Sequence, residues 1–213
     1  MFEKTVITDP NNKFYPIIRG AFGVLTKLIY RVRFHNAEAL EKLEGPCILL
    51  GNHQCWIDPV YMAVPTRHMQ LRFLGKKELA PNKFMKKLTE LLHMTTVGRG
   101  ESDLAAMRSC MRILKDGHAL VIFPEGTRHQ PSLMHHVETG AAVLALRAKV
   151  PMIPVYVHGK PSPFKRVDVY VGAPMDNADL YAEGPNMESA GKLADRIRDT
   201  YFAMRDEAAK EGK

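Results

Sequence analysis

Hydrophobic and polar positions along the chain fall into two alternating kinds of block. Short apolar runs that stop at turn residues read as buried strands. They are "PCILLGN" over 46–52, "LRFLG" over 71–75, "HALVIF" over 118–123, "PMIPVYVHG" over 151–159 and "VDVYVG" over 167–172. Between them, 83–93 and 103–115 carry apolar residues at helical spacing. Ser102 suits the N-cap of the second, and Gly117 follows its end. The small residues of "ETGAAVLALRA", 138–148, predict a helix packed closely on a sheet, and 187–210 predicts a charged amphipathic helix. Asp58-Pro59 marks another helix start, with Asp58 at or near the N-cap and Pro59 at N1. Strands alternating with helices predict an α/β fold: a mostly parallel sheet flanked by helices, with functional loops at the strand ends.

One block departs from this rhythm. "FYPIIRGAFGVLTKLIYRVRF", 14–34, is long enough to cross a bilayer, but Arg19 and Lys27 interrupt it and Arg31 and Arg33 follow. A central charge costs a spanning helix a few kcal/mol or more. A helix lying in the interface fits better, with apolar residues in lipid and cations at anionic head groups. The alternative is an amphipathic helix packed on the protein's own core. The expected division is a membrane-associating segment over 1–36 and an α/β domain over 37–213.

Composition narrows the class. The chain has 213 residues, 46% hydrophobic and 25% charged, enough for a real core and unlike a disordered protein. A net charge of +7 favours an anionic partner. Aromatics are scarce among Lys76, Lys77, Lys83, Lys86 and Lys87, where only Phe73 and Phe84 stand, so a nucleic-acid surface is not expected. Cys47, Cys55 and Cys110 form no C-x-x-C pair and suit a reducing compartment. "MFEKTVITDPNNK" is polar and mixed in charge, unlike a signal peptide. His129, His135 and His136 lack the spacing of a zinc site, so no metal or other cofactor is expected.

Candidate chemistry sits in three places. In "GNHQCWIDPV", His53 precedes Asp58 by five positions. A neutral imidazole is a good general base near neutral pH and needs a partner to fix its tautomer. The spacing permits that contact where a strand-end loop becomes a helix, yet Asp58 is equally explained as a helix cap. The readings are compatible, since one oxygen can hold the helix start while the other holds His53. In "FPEGTR", 123–128, Glu125, Gly126, Thr127 and Arg128 crowd a strand end. Gly126 lets a ligand approach the backbone, Arg128 and Thr127 suit phosphate, and Glu125 suits a glycerol hydroxyl or support of Arg128. In "TTVGRG", 95–100, Arg99 stands between glycines and suits anion capture. Cys55 is discounted as a nucleophile, because no second His–Asp pair serves it.

"NHQCWID", "VGRG", "FPEGTR" and "VPMIPV" follow one another in the order of the four blocks of the glycerolipid acyltransferase family, which the chain resembles over residues 14 to about 175. The resemblance implies transfer of a fatty acyl group from acyl-CoA or acyl-carrier protein to a hydroxyl of a glycerophospholipid precursor. In the bacterial type it resembles, the acceptor is lysophosphatidate and the product phosphatidic acid. His53 would be the general base and Asp58 its orienting partner. Arg99, Glu125, Gly126, Thr127 and Arg128 would bind the acceptor, and Pro154 would shape the acyl-donor pocket. An anionic membrane surface is the implied partner, with the protein peripheral on the cytoplasmic face. Two departures bear on acceptor specificity: "HHVETGAAVLAL" carries Glu138 and Thr139 where many members have a basic residue, and "RHQPSLMHH" lacks the usual Ser-rich, Lys-bearing loop.

Overall fold

Seven strands form one sheet in the order β1-β7-β6-β2-β5-β3-β4. The computed structural model describes residues 15–66, 69, 71–76, 83, 94–97, 103–128 and 131–211. Its elements are α1 (Tyr15–Tyr30), β1 (Val32–His35), α2 (Glu38–Glu41), β2 (Ile48–Gly51), α3 (Asp58–Ala63), β3 (Leu71–Lys76) and β4 (Met94–Val97). They continue with α4 (Asp103–Lys115), β5 (Ala119–Ile122), α5 (Thr139–Ala148), β6 (Met152–His158), β7 (Val167–Val171), α6 (Ala178–Glu183) and α7 (Met187–Glu211). Residues 84–93 of the helix expected over 83–93, the N-cap candidate Ser102 of the helix over 103–115, and the site candidate Arg99 lie outside the described residues, as does His129.

The five strands expected from apolar runs are all present, and the sheet is mostly parallel. Among the described residues only β6 and β7 pair antiparallel, so β7 and its parallel neighbour β1 run against the other five strands. Two strands were not expected. β1 takes the end of the 14–34 stretch and runs on to His35, and β4 takes the start of "TTVGRG". Arg31, at φ +44, ends the stretch's helix and turns the chain into β1, whose Val32 and Phe34 pair with Val167 and Val169.

Alternation along the central strand explains the two layers. Ile48 and Leu50 of β2 face a core completed by α4, α5 and α7, while Cys47 and Leu49 face one completed by α2 and α3. All four residues of β2 are buried, as expected of a parallel strand covered on both sides. On α7, Ala190, Leu193, Ala194, Ile197, Tyr201, Met204 and Ala208 recur every three or four residues, and all are buried. Each large side chain buried in this way contributes about 1.5–3 kcal/mol of transfer free energy.

α1 packs on α3 through an unusual face. Tyr15 and Thr26 are buried, Arg19 Nη1 donates to the Thr66 carbonyl at 2.8 Å, and Tyr30 meets Tyr61 edge-on. Ile17, Val24 and Leu28 point outward at 67%, 60% and 71% exposure. The helix therefore carries an apolar stripe on its solvent side as well as an inner packing face. No described helix is long and apolar enough to cross a membrane.

Candidate active site

The site grows from the carboxyl end of β2, whose neighbours β5 and β6 are far from it in sequence. Gly51 closes the strand with Met62 of α3 packed over its Cα: a Cβ there would lie 1.9 Å from Met62 Cε, so that side chain would have to shift. Asn52 follows, 1% exposed. Its amide donates to the Val157 carbonyl at 3.0 Å and accepts the Val157 N–H at 2.8 Å. Gln54 Nε2 donates to the same carbonyl at 2.8 Å. These bonds pin the chain on both sides of His53 to β6.

His53 Nδ1 lies 2.9 Å from Asp58 Oδ2. The same oxygen accepts the main-chain N–H of Gln54 at 2.6 Å and of Cys55 at 2.8 Å. Oδ1 accepts the Cys55 thiol at 3.1 Å. An oxygen that already takes two N–H donors acts as an acceptor, so Nδ1 is the protonated ring nitrogen. Nε2 keeps its lone pair and has no hydrogen-bond partner among the described residues. The ring stacks on Phe123 at 4.1 Å between centroids. The Asp58 side chain is wholly buried, whereas that of His53 is 20% exposed. One end of the pair is thus fixed inside the protein and the other is open.

The helix-cap reading of Asp58 needs correction. Ile57 is the N-cap, Asp58 is the first helical residue and Pro59 the second, and no cap side-chain bond is made. The carboxylate turns backward onto the Gln54–Cys55 turn, because those N–H groups lie beside His53 and would otherwise be unpaired.

"FPEGTR" divides in two. Pro124 and Glu125 are buried, while Gly126, Thr127 and Arg128 are exposed. Glu125 does not turn outward with Arg128 as the sequence suggested. Its Oε2 accepts the His53 N–H at 2.6 Å, and its Oε1 accepts the Met134 N–H at 2.9 Å. Burial raises its pKa, while the bonds from His53 and Met134 pull the other way. Gly126 holds φ +66, and a Cβ there would meet Glu138 Cγ at 2.9 Å. That left-handed turn is what separates the inward Glu125 from the outward Thr127 and Arg128.

Pro154 stands apart from the others. It pairs in register with Leu50, but its ring lies under Gly172, where a Cβ would sit 2.8 Å from Pro154 Cγ and 3.2 Å from Met204 Cε of α7. It therefore faces the α7 layer, opposite the layer that holds α3. His135 and His136 are exposed, and no group of three potential metal ligands occurs among the described residues. Cys55 has a thiol pushed up to about 12, first by burial and then by Asp58. Sequence reasoning missed Asn52, Phe123 as the ring's stacking partner, and Met134. Only Asn52, adjacent to His53, carried a visible signal.

The fold defines a class that known structures share. The crystal structure titled as the 1-acyl-sn-glycerophosphate (LPA) acyltransferase PlsC from Thermotoga maritima superposes with a TM-score of 0.69, covering 92% of this chain and 81% of that one at 20% identity. The acyltransferase family model matches residues 31–158, and the chain belongs to that family. The 1-acyl-sn-glycerol-3-phosphate acyltransferase of Streptococcus pneumoniae is 32% identical over 98% of this chain and 78% of its own length. The enzyme of the same name from Bacillus subtilis is 26% identical over 86% of this chain and 92% of its own.

Proposed function

We propose that the protein transfers a fatty acyl group from a thioester donor, acyl-CoA or acyl-carrier protein, to the sn-2 hydroxyl of 1-acyl-sn-glycerol-3-phosphate. The product is phosphatidic acid. The names of the similar enzymes support this acceptor. The observation that carries the chemistry is His53, held at Nδ1 by buried Asp58 with Nε2 open at the end of β2.

In this reading Nε2 takes the proton of the acceptor hydroxyl as its oxygen attacks the thioester carbonyl. Asp58 stabilises the imidazolium that forms. Collapse of the tetrahedral intermediate breaks the C–S bond, and His53 returns the proton to the departing thiolate. No acyl-enzyme is needed, and the thiol of Cys55 is held in its neutral form. Gly126, Thr127 and Arg128 face outward on one turn beside the His53–Phe123 stack and receive the acceptor's phosphate, with Arg99 as a second cation. Pro154 lines a cleft with Gly172, Met175 and Met204 on the α7 side of β6.

The outward stripe of Ile17, Val24 and Leu28 sets the protein on an anionic membrane, where both lipids reside. Exposed Lys27 and Arg31 at one end of the helix, and the net charge of +7, favour anionic head groups.

The test is release of free thiol from palmitoyl-CoA with and without lysophosphatidate, with identification of the lipid product. Lysophosphatidate-dependent release with phosphatidic acid formed is the expected result. Thiol release only with another lysophospholipid would move the acceptor. No release with any acceptor or donor would end the reading.

A further inference from the structure

Glu125 belongs to the acceptor-binding turn by sequence, but its surroundings give it another task. It is 3% exposed. Its two oxygens reach main-chain N–H groups from two separate loops, His53 at 2.6 Å and Met134 at 2.9 Å. His53 is 72 residues away in sequence, so this bond joins the end of β5 to the loop after β2.

The Met134 side is built to hold as well. Met134 is fully buried and sits at φ +50, a backbone state that a residue with a Cβ adopts only when its surroundings impose it. Arg198 of α7 donates Nε to its carbonyl at 3.3 Å. Close by, the Glu138 N–H donates to the Pro124 carbonyl at 2.8 Å, which ties the same loop to the residue before Glu125. A connected line therefore runs from α7 through Met134 and Glu125 to the backbone of His53. Asp58 orients the imidazole from one side, and Glu125 holds the main chain that carries it from the other.

We infer that Glu125 is a positioning residue that fixes the His53 backbone, rather than a ligand of the acceptor lipid. This rests on the reading of His53 as general base. A charge-assisted bond from a buried carboxylate is stronger than a neutral one, and it acts where a displacement of about 1 Å can cost about 100-fold in rate. Glutamine at this position would keep one acceptor oxygen but set an amide N–H₂ against a main-chain donor.

Two measurements decide the matter. In the first, kcat and acceptor KM are measured for Glu125→Gln with palmitoyl-CoA and lysophosphatidate. The expected result is a kcat lower by about ten- to 100-fold with acceptor KM changed by no more than about twofold. A raised acceptor KM with kcat intact would overturn the inference, because it would place Glu125 on the substrate. In the second, the backbone amide of His53 is followed by NMR in the wild-type protein and the variant. The expected wild-type signal is a strongly downfield, slowly exchanging amide, and Glu125→Gln abolishes both properties. An ordinary, fast-exchanging wild-type amide would overturn the inference even if the variant fails to fold. If the amide has the expected signature but the wild type releases no thiol with lysophosphatidate, the functional reading falls and the positioning role stands.

Discussion

Asp58 Oδ2 lies 2.9 Å from His53 Nδ1 and accepts two main-chain N–H groups from the turn between them. The ring, the carboxylate and the intervening backbone therefore form one unit, closed by hydrogen bonds over six residues. Removing the ring should leave most of that turn intact. His53→Ala is expected to lower kcat by about 10²–10⁴-fold with the melting temperature little changed. Asp58→Asn removes the anion and the preference for protonated Nδ1, and kcat should fall within the same range. Steady-state thiol release checks both. More than a few per cent of wild-type activity in His53→Ala would remove the ring from the chemistry.

Cys55 lies between the two and donates its thiol to Asp58 Oδ1 at 3.1 Å. With its pKa pushed to about 12, the thiol stays protonated across the neutral range. Iodoacetamide at pH 7.5 should alkylate it far more slowly than a free cysteine, which peptide mapping will show. Cys55→Ser keeps a donor toward Asp58 and should retain activity within about threefold. A loss as deep as that of His53→Ala would revive an acyl-enzyme.

Arg128 is exposed on the turn after Glu125. If it grips the acceptor's phosphate, Arg128→Ala removes a charged hydrogen bond worth about 1.5–3 kcal/mol. Acceptor KM should then rise by about ten- to 100-fold with the donor's KM unchanged. A change confined to the donor's kinetics would move the phosphate site elsewhere.

Val24 and Leu28 sit on the outward stripe of α1. Replacing both by Glu leaves the α1–α3 contact untouched, so the fold should persist. Co-sedimentation with phosphatidylglycerol vesicles should weaken by at least about tenfold, since each large apolar side chain contributes about 1.5–3 kcal/mol when it enters lipid. Wild-type binding should also fall with added salt. Equal binding by the double variant would turn the stripe into a feature without a lipid role.

Asp168 of β7 joins Arg166 Nε at 2.7 Å and His35 Nε2 at 2.9 Å. Burial alone would raise its pKa, but the bonds from Arg166 and His35 outweigh that and hold it below 3.8. A depressed carboxyl contributes stability that is present above its unfolded value, about 3.9, and is lost as pH falls through the folded value. The melting-temperature difference between wild type and Asp168→Asn should therefore be full at pH 5 and shrink below about pH 4. A difference that stays constant down to pH 2 would contradict the assignment.

Much of the architecture was legible in one dimension because the signals were local. The apolar runs at 46–52, 118–123, 151–159 and 167–172 are each buried at their centres, over 47–52, 119–121, 152–157 and 167–171, so their hydrophobicity marks them without knowledge of their neighbours. Helices α4 and α7 follow from three- and four-residue spacing alone. β1 was hidden because "RVRF" runs straight on from a helical stretch and is too short for its alternation to stand out. Only pairing with β7, 135 residues later in register, makes it a strand.

The same division holds at the site. The sequence put His53 and Asp58 within reach of each other but left a helix cap equally open, and the folded turn set the carboxylate on the ring. The sequence also put Gly126 at a crowded strand end, where the structure shows a left-handed backbone. Tertiary structure alone decided that Glu125 points inward to the His53 backbone while Arg128, three residues on, points out. It alone set Pro154 against α7 and away from His53, and left the apolar stripe of α1 uncovered. The physical reason is common to all three. The direction a side chain takes, and whether it is covered, depends on which donors, rings and layers surround it, and those come from chain segments tens of residues away.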